Sequence, residues 1–349
     1  MHARVVGVDL GDRKSHYCTL NNLGKVASEG SLPSTPTDFY QQFAKLPPSL
    51  IALEVGTHSR WASKVLKTCG HEVVVANTAR VRLIHQNTRK SDRFDAKALA
   101  KLARVDCELL SPIQHRSDDA QARLAIIRAR DLLVRTRSSV MNCVRGLVKP
   151  TGSRLPSCTP ECFHVRVASA LPKELRPALE PLLEQIKSLN QAILKYDHMM
   201  EDLADHAYPH VRLLTQIHGV GTLTALAFIL TIEDPKRFRS SRDAGCYFGL
   251  QPKRYQSGDS DPELGIGKNG DEYMRCLLIN AAHHILGPYG KDSDLRRWGL
   301  HLASRGGKSA RKKAATAVAR KLATVMHSIW TTGEVYDPLR NAAASKIAA

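Results

Sequence analysis

The chain has 349 residues, 43% of them hydrophobic, which at roughly 150 residues per domain is enough for two or three ordinary cores. Fifty-one Lys and Arg against 33 Asp and Glu leave a net charge of +18. That surplus favours a polyanionic partner, nucleic acid before an anionic membrane, and disfavours a neutral metabolite. No apolar run reaches the ~20 residues of a membrane-spanning helix, and the opening MHARVVGVDLG runs into a strand rather than a signal peptide. Eight cysteines spread along the chain do not make a dense disulfide framework. The expectation is a soluble, cytoplasmic protein with reduced thiols and no membrane partner.

In chain order, residues 4–10 (RVVGVDL) are β-branched and end at Gly11-Asp12, and further strand-like runs follow at 15–20, 50–55 and 72–76. Helical spacing at 35–46 and 57–69 alternates with them, so residues 1–115 read as an α/β domain. Strand signals stop near 117. Leu179, Leu182, Ile186, Leu189, Ile193, Tyr196, Met200 and Leu203 then follow a 3,4 spacing, the seam of a coiled coil. Its partner is the segment 119–148 running antiparallel, a second protomer, or simply the rest of its own domain. Residues 116–205 are thus a helical coiled-coil region. Residues 206–340 form a mainly helical, basic domain, and 341–349 a flexible tail of small residues.

Asp9 ends an apolar strand before Gly11, which places its carboxylate at the strand's carboxyl end, where open α/β sheets bind ligands. Glu54 repeats the arrangement after Leu50-Ile51-Ala52-Leu53 and before Gly56. In KSDRFDAKALA, Ser91 suits a helix N-cap, and Asp92 and Asp95 share one helical face. Four grouped acids call for a cation, and hard oxygen donors suit Mg²⁺, with Mn²⁺ as a substitute. Two such ions can clamp the attacking and leaving oxygens of a phosphodiester. The same acids also suit a helix dipole and ordinary turns. Asp9-Leu10-Gly11 is similar to a phosphate motif of actin-like kinases, without a second nucleotide motif to support it. Gly306-Gly307-Lys308-Ser309 has Leu302 where a phosphate loop needs its first glycine, so a solvated basic helix reads better.

Gly219-Val220-Gly221 between two apolar helical segments resembles a helix-hairpin-helix, whose glycine turn offers backbone N–H groups to a DNA phosphate. Ser257 lies in a polar loop between Lys253-Arg254-Tyr255 and Gly258. A serine attacks phosphorus only when a base or metal activates it and cations stabilise the transition state; cations are present, a base is not evident. Lys253, Arg254, Lys268, Arg305, Lys308, Arg311, Lys312 and Lys313 are the candidate nucleic-acid contacts. Arg60, Arg80, Arg82, Arg89, Lys90 and Arg93 add basic charge around the acids, while only 5% aromatic residues argue against base stacking as the main binding mode. Cys158, Cys162 and His164 lack the second ligand pair of a zinc site.

Taken together, GVDLG, ALEVGTHSRW, KSDRFDAKALA, IHGVGTLTA, FGLQPKRYQSG and GIGKNGDEYMRCLL resemble the IS110/IS1111 family of insertion-sequence transposases, over about residues 4–337. The resemblance implies a RuvC-like (RNase H-like) nuclease domain whose DEDD set is Asp9, Glu54, Asp92 and Asp95. It also implies a helical coiled-coil insertion and a carboxyl-terminal transposase domain with Ser257 as nucleophile. In such proteins the serine forms a 5′-phosphoserine DNA intermediate, the acids hold Mg²⁺, and the enzyme works as a homo-oligomer, a dimer or tetramer. Several members are guided by a structured noncoding bridge RNA, so the implied partners are donor DNA, target DNA and that RNA, with a nucleoid-associated location in a prokaryote. One departure is local: Asp259 and Asp261 follow Ser257 where many relatives have Gly or Ser. Three other readings compete: a site-specific invertase of the same family, a RuvC-like junction nuclease that hydrolyses with water, and a silent nucleic-acid scaffold.

Overall fold

A computed structural model of the chain describes residues 4–77, 91–258, 260–262 and 264–341. Arg80, Arg82, Arg89, Lys90, Asp259 and residues 342–349 of the tail lie outside the described residues. The chain divides into two compact units, 1–115 and 116–349.

The first unit is a mixed five-stranded sheet: β1 (Val5–Asp9), β2 (Lys14–Leu20), β3 (Val26–Pro33), β4 (Leu50–Glu54) and β5 (Glu72–Ala76), in the order β3-β2-β1-β4-β5. β1 pairs antiparallel with β2 and parallel with β4; β2 and β3 are antiparallel, and β4 and β5 parallel. The edge strand β3, VASEGSLP, is one that the sequence pattern does not announce. Only Leu32 of its residues is buried, so the hydrogen-bond ladder to β2 rather than apolar alternation defines it. Helices α1 (Pro36–Phe43) and α2 (Ser59–Thr68) pack on one face, α3 (Asp92–Val105) on the other. Thr35 caps α1 by accepting from the Asp38 N–H, and Pro36 at the first position presets the helical φ.

Alternation along the strands divides the core. Val6, Val8, Ile51 and Leu53 meet Phe39, Phe43, Ala62 and Leu66. Val5, Leu50 and Ala52 meet Leu99 and Ala103 of α3. Gly7 lets α3 lie directly on β1, since a Cβ there would stand 2.0 Å from the Ala96 carbonyl oxygen.

In the second unit, α4 (Asp118–Val148) and α6 (Arg176–His206) are 31 residues each and run antiparallel, joined through the short helix α5 (Phe163–Ala168). Arg130 pairs with Asp197 and Arg137 with Asn190. The partner number falls by seven as α4 advances by seven, two turns of an antiparallel pair. Five residues of the heptad seam, Leu179, Ile186, Leu189, Ile193 and Met200, are buried, while Leu182, Tyr196 and Leu203 are half-buried. The partner of that seam is therefore α4 of the same chain. Ser117 caps α4, accepting from the Ala120 N–H at 3.1 Å.

Among the described residues six further α-helices follow: α7 (His210–Leu214), α8 (Thr222–Ile232), α9 (Arg242–Tyr247), α10 (Glu272–Leu286), α11 (Asp294–Ser304) and α12 (Ala310–Thr332). α8 is buried from Thr224 to Ile232 and forms the centre of a core shared with Leu124 and Ile127 of α4, Met200 of α6, Leu278 of α10, and Leu322 and Met326 of α12. Among the described residues, no helix is long and apolar enough to cross a membrane.

Candidate active site

The strand register decides which face each acid occupies. Asp9 is two residues beyond Gly7, on the α3 face of β1; Glu54 is two beyond Ala52, on the same face of β4. Val8 lies beside Leu53 in the parallel pair, so the next residues, Asp9 and Glu54, end adjacent strands side by side. Across that face lies α3, whose N-cap Ser91 accepts from the Phe94 N–H. Its first turn carries both remaining acids. Asp95 is buried and begins the Asp95, Leu99, Ala103 stripe that covers β1 and β4. Asp92 begins the adjacent stripe with Ala96 and Ala100, over Cys18 and Leu20 of β2. Asp9, Glu54 and Asp95 are thus brought to one region of the sheet, while Asp92 leans to the β2 side.

A residue that sequence reasoning did not single out stands there. His16 is the register partner of Asp9 in β2, and its Nδ1 lies 3.5 Å from the Asp92 carboxylate. Only the strand pairing reveals it. Beneath the helix, burial, reinforced by Glu29, pushes the Cys18 thiol up to about 11, so it is a packing residue and not a nucleophile.

The four carboxylates are hard oxygen donors, which fit a divalent cation such as Mg²⁺ or Mn²⁺, with the His16 imidazole beside Asp92 as the one nitrogen group described there. Among the described residues no three His, Cys, Asp or Glu side chains close on a single point as ligands do; what the backbone fixes is the shared location. The same holds for Cys158, Cys162 and His164. Cys162 instead bonds to Thr159, whose hydroxyl holds the thiol below its usual range, with help from Arg166.

Ser257 sits on an exposed two-stranded arm. Lys253 N–H donates to the Gly265 carbonyl at 2.9 Å and Gly267 N–H to the Gln251 carbonyl at 2.8 Å. At the far end Ser257 and Ser260 exchange both backbone hydrogen bonds, 3.0 and 3.1 Å, around a turn in which Gly258 takes φ +57°. The stems cross closely at the base: a Cβ on Gly249 would lie 2.1 Å from the Asn269 carbonyl oxygen, and one on Gly270 2.0 Å from that of Tyr247. Both positions also have positive φ, so only glycine fits.

Arg275 holds that base. Buried on α10, it donates from Nη1 to the carbonyls of Phe248 at 3.0 Å and Asn269 at 3.2 Å, one on each stem. It too went unremarked in the sequence. The available signal was a lone cation at 3,4 spacing with the apolar Leu278, Ala282 and Ile285.

Asp261 pairs with Arg254 at 3.6 Å, so its charge is partly offset by a neighbouring cation. Lys253, Arg254 and Lys268 are exposed along the arm, and Arg305, Lys308, Arg311, Lys312 and Lys313 are exposed around the start of α12. Gly219, at φ +88°, packs against Ala281 and Ile285 of α10, whereas Gly221 is open to solvent and starts α8. The two glycines therefore differ: one is a packing turn, the other leaves helix-start N–H groups approachable.

Two family models match separate parts of the chain. One, described as a DEDD transposase of the IS110 type, matches residues 6–151; the other, the transposase IS116/IS110/IS902 family, matches residues 211–294. The transposase for insertion sequence element IS1328 of Yersinia enterocolitica is 27% identical over 95% of this chain and 98% of its own length. The transposase for IS1111A of Coxiella burnetii is 25% identical over 95% of this chain and 91% of its own. A pilin gene-inverting protein of Moraxella bovis is 24% identical over 44% of this chain and 48% of its own.

Proposed function

The chain belongs to the IS110/IS1111 family of insertion-sequence transposases, enzymes that cleave and join DNA, and from that premise we propose a catalytic apparatus in two parts. Asp9, Glu54, Asp92 and Asp95 of a RuvC-like first domain hold Mg²⁺, and Ser257 of the last domain supplies the nucleophile. Bound metal would neutralise charge on the phosphodiester. The Ser257 Oγ displaces a DNA 3′-oxygen, which leaves as a 3′-hydroxyl carrying the proton lost by the serine. The product is a 5′-phosphoserine ester. Attack by a different 3′-hydroxyl breaks that ester, returns the proton to the serine and seals the new strand. The ester conserves the bond energy, so no nucleotide cofactor is consumed.

The observation that carries this reading is the placement of Ser257 on the tip of a solvent-exposed arm whose base is clamped by a buried arginine. A serine retained merely for loop solubility needs no such clamp. For the acids, the support is their common position at the carboxyl ends of β1 and β4 beneath the start of α3. DNA is held by the exposed cations of the arm and of the α12 start. Arg311, Lys312 and Lys313 occupy the first turn of a helix, where the dipole disfavours cations, so their placement suits an anionic partner rather than helix stability.

Donor and target DNA, a structured guide RNA and a homo-oligomer complete the reading. The seam of α6 being filled by α4, a dimer or tetramer requires another surface. Mobility of an element is favoured over inversion at fixed sites, because the insertion-sequence relatives extend over 95% of the chain and the inverting protein over 44%. Incubation with labelled DNA and Mg²⁺, followed by a denaturing gel, tests the chemistry. Wild type yields a protein–DNA adduct, and Ser257→Ala and Asp9→Asn do not. Cleavage retained by Ser257→Ala would establish hydrolysis by water instead.

A further inference from the structure

We infer that His58 contacts the substrate: its Nε2–H is a fixed hydrogen-bond donor to a non-bridging oxygen of a DNA phosphate lying beside Glu54. The inference rests on the phosphodiester-cleaving reading above and adds a residue to it.

His58 precedes α2, just after the chain leaves β4. Its Nδ1 accepts a hydrogen bond from the Trp61 indole N–H at 3.0 Å. An indole nitrogen only donates, so Nδ1 is without hydrogen and the ring hydrogen sits on Nε2. Trp61 is itself held edge-on against the fully buried Phe39, with ring centroids 5.0 Å apart. The backbone that carries His58 is braced as well: Gly56 N–H donates to the Ser59 hydroxyl, and that hydroxyl donates to the Gly56 carbonyl. Ring, tautomer and turn are therefore set before any ligand arrives.

The Nε2–H faces a pocket lined by Leu10, Asp12, Glu54, Val55, Gly56 and Thr57, at the carboxyl ends of the parallel pair β1 and β4. Ligands of open sheets bind at such strand ends. Nε2 lies 3.4 Å from the Asp12 carboxylate, on a side chain 93% exposed. That distance is long for a hydrogen bond to a carboxylate, and among the described residues no other hydrogen bond or ion pair holds the side chain there. Asp12 marks where an anionic oxygen is attracted, and a phosphate oxygen is the anion that this reaction brings. A donor already aimed at charge that grows in the transition state needs no reorganisation during the reaction.

The test uses the full chain, labelled DNA duplex and Mg²⁺, with cleavage rate, KM and the ¹⁵N spectrum of the histidines as readouts. His58→Ala should lower kcat by about 10²-fold, the scale of losing one donor to a developing oxyanion. His58→Gln, which keeps an N–H near the same point, should recover at least a tenth of the wild-type rate. Asp12→Asn removes a competing anion and should lower KM by about two- to five-fold, the scale of one exposed charge interaction. Trp61→Phe should move the His58 ring signals away from the single Nε2–H form. If the contact merely braces the loop, Asp12→Asn and His58→Ala fall together, and that outcome overturns the inference. A wild-type rate in His58→Ala also overturns it while leaving Asp9→Asn inactive. Cleavage by Asp9→Asn would instead sink the underlying two-part reading.

Discussion

Replacing Gly7 with alanine would put a methyl carbon 2.0 Å from the Ala96 carbonyl oxygen and 2.5 Å from the Ala100 amide nitrogen. Both are backbone atoms of α3, so no rotamer change relieves the clash. The helix must retreat from β1 by about 1.4 Å to restore a 3.4 Å contact. Overpacking of this kind costs about 1–3 kcal/mol, which should appear as a lower unfolding midpoint of the first unit. The larger effect is on chemistry. α3 carries Asp92 and Asp95 while β1 carries Asp9, and if these acids act together as proposed, a displacement near 1 Å between them can cost about 10²-fold in rate. Single-turnover cleavage should be measured well below the variant's unfolding transition, beside DNA binding, which should persist if the second unit's cations make the contacts proposed for them. Gly146→Ala is the control. That glycine lies inside α4 with open space around its Cβ position, and alanine there should stabilise by about 0.5–1 kcal/mol. A Gly7→Ala protein of wild-type stability and rate would show that α3 does not bear on β1 as described, and would remove the argument for how the acids meet.

Arg275→Met strands the buried Phe248 carbonyl, at about 1–3 kcal/mol, and removes the part-buried bond to the Asn269 carbonyl. Proteolysis within 249–270 should accelerate and adduct yield should fall, with partial rescue by Arg275→Lys; an unchanged cleavage pattern would refute the clamp. Changing Arg311 and Lys312 to Gln should reduce the slope of log affinity against log salt by about 1.8, from roughly 0.9 per phosphate contact. The same change should raise helix stability by about 0.3–1 kcal/mol for each charge removed from the dipole's positive end. A constant slope would place the DNA elsewhere. Finally, Cys162, held in thiolate-favouring surroundings by Thr159, should alkylate faster near neutral pH than the exposed Cys143 and Cys276, and Thr159→Val should slow it. Cys18, buried and pushed up to about 11, should not react in the folded protein.

The strand-end acids were legible because an apolar strand leading to a carboxylate and a glycine is a local pattern. Asp9 and Glu54 needed only the parallel register to become neighbours. The heptad seam was equally legible, because apolar periodicity survives whatever partner it meets; that the partner is α4 follows from pairs such as Arg137 with Asn190, which spacing along one helix does not encode. β3 escaped because an edge strand with one buried side chain has no alternation to detect. His16 escaped because its role depends on which residue of β1 it faces, and one residue of slippage would have turned it to the other side of the sheet. Arg275 escaped for a different reason: a cation within an apolar stripe reads as an imperfection until the carbonyls it serves, from residues 248 and 269, are seen to converge.

The arm's stability is also not its own. Two short stems with exposed faces do not hold a register in water unless something else fixes their ends. Here the fixing runs through charge. Arg128 of α4 donates to the Asp271 carboxylate at 2.6 Å and lies over the Tyr273 ring at 4.7 Å. The other oxygen of Asp271 caps α10 through the Met274 N–H at 2.9 Å, and one turn along that helix Arg275 grips both stems. The carboxylate therefore serves helix cap and ion pair together. Because Arg128 belongs to the helix that also fills the α6 seam, the packing of the long helical pair and the geometry at the base of the Ser257 arm are parts of one connected set of contacts. A change that tilts α4 must either break the Asp271 bond or carry the start of α10, and with it the stems, along.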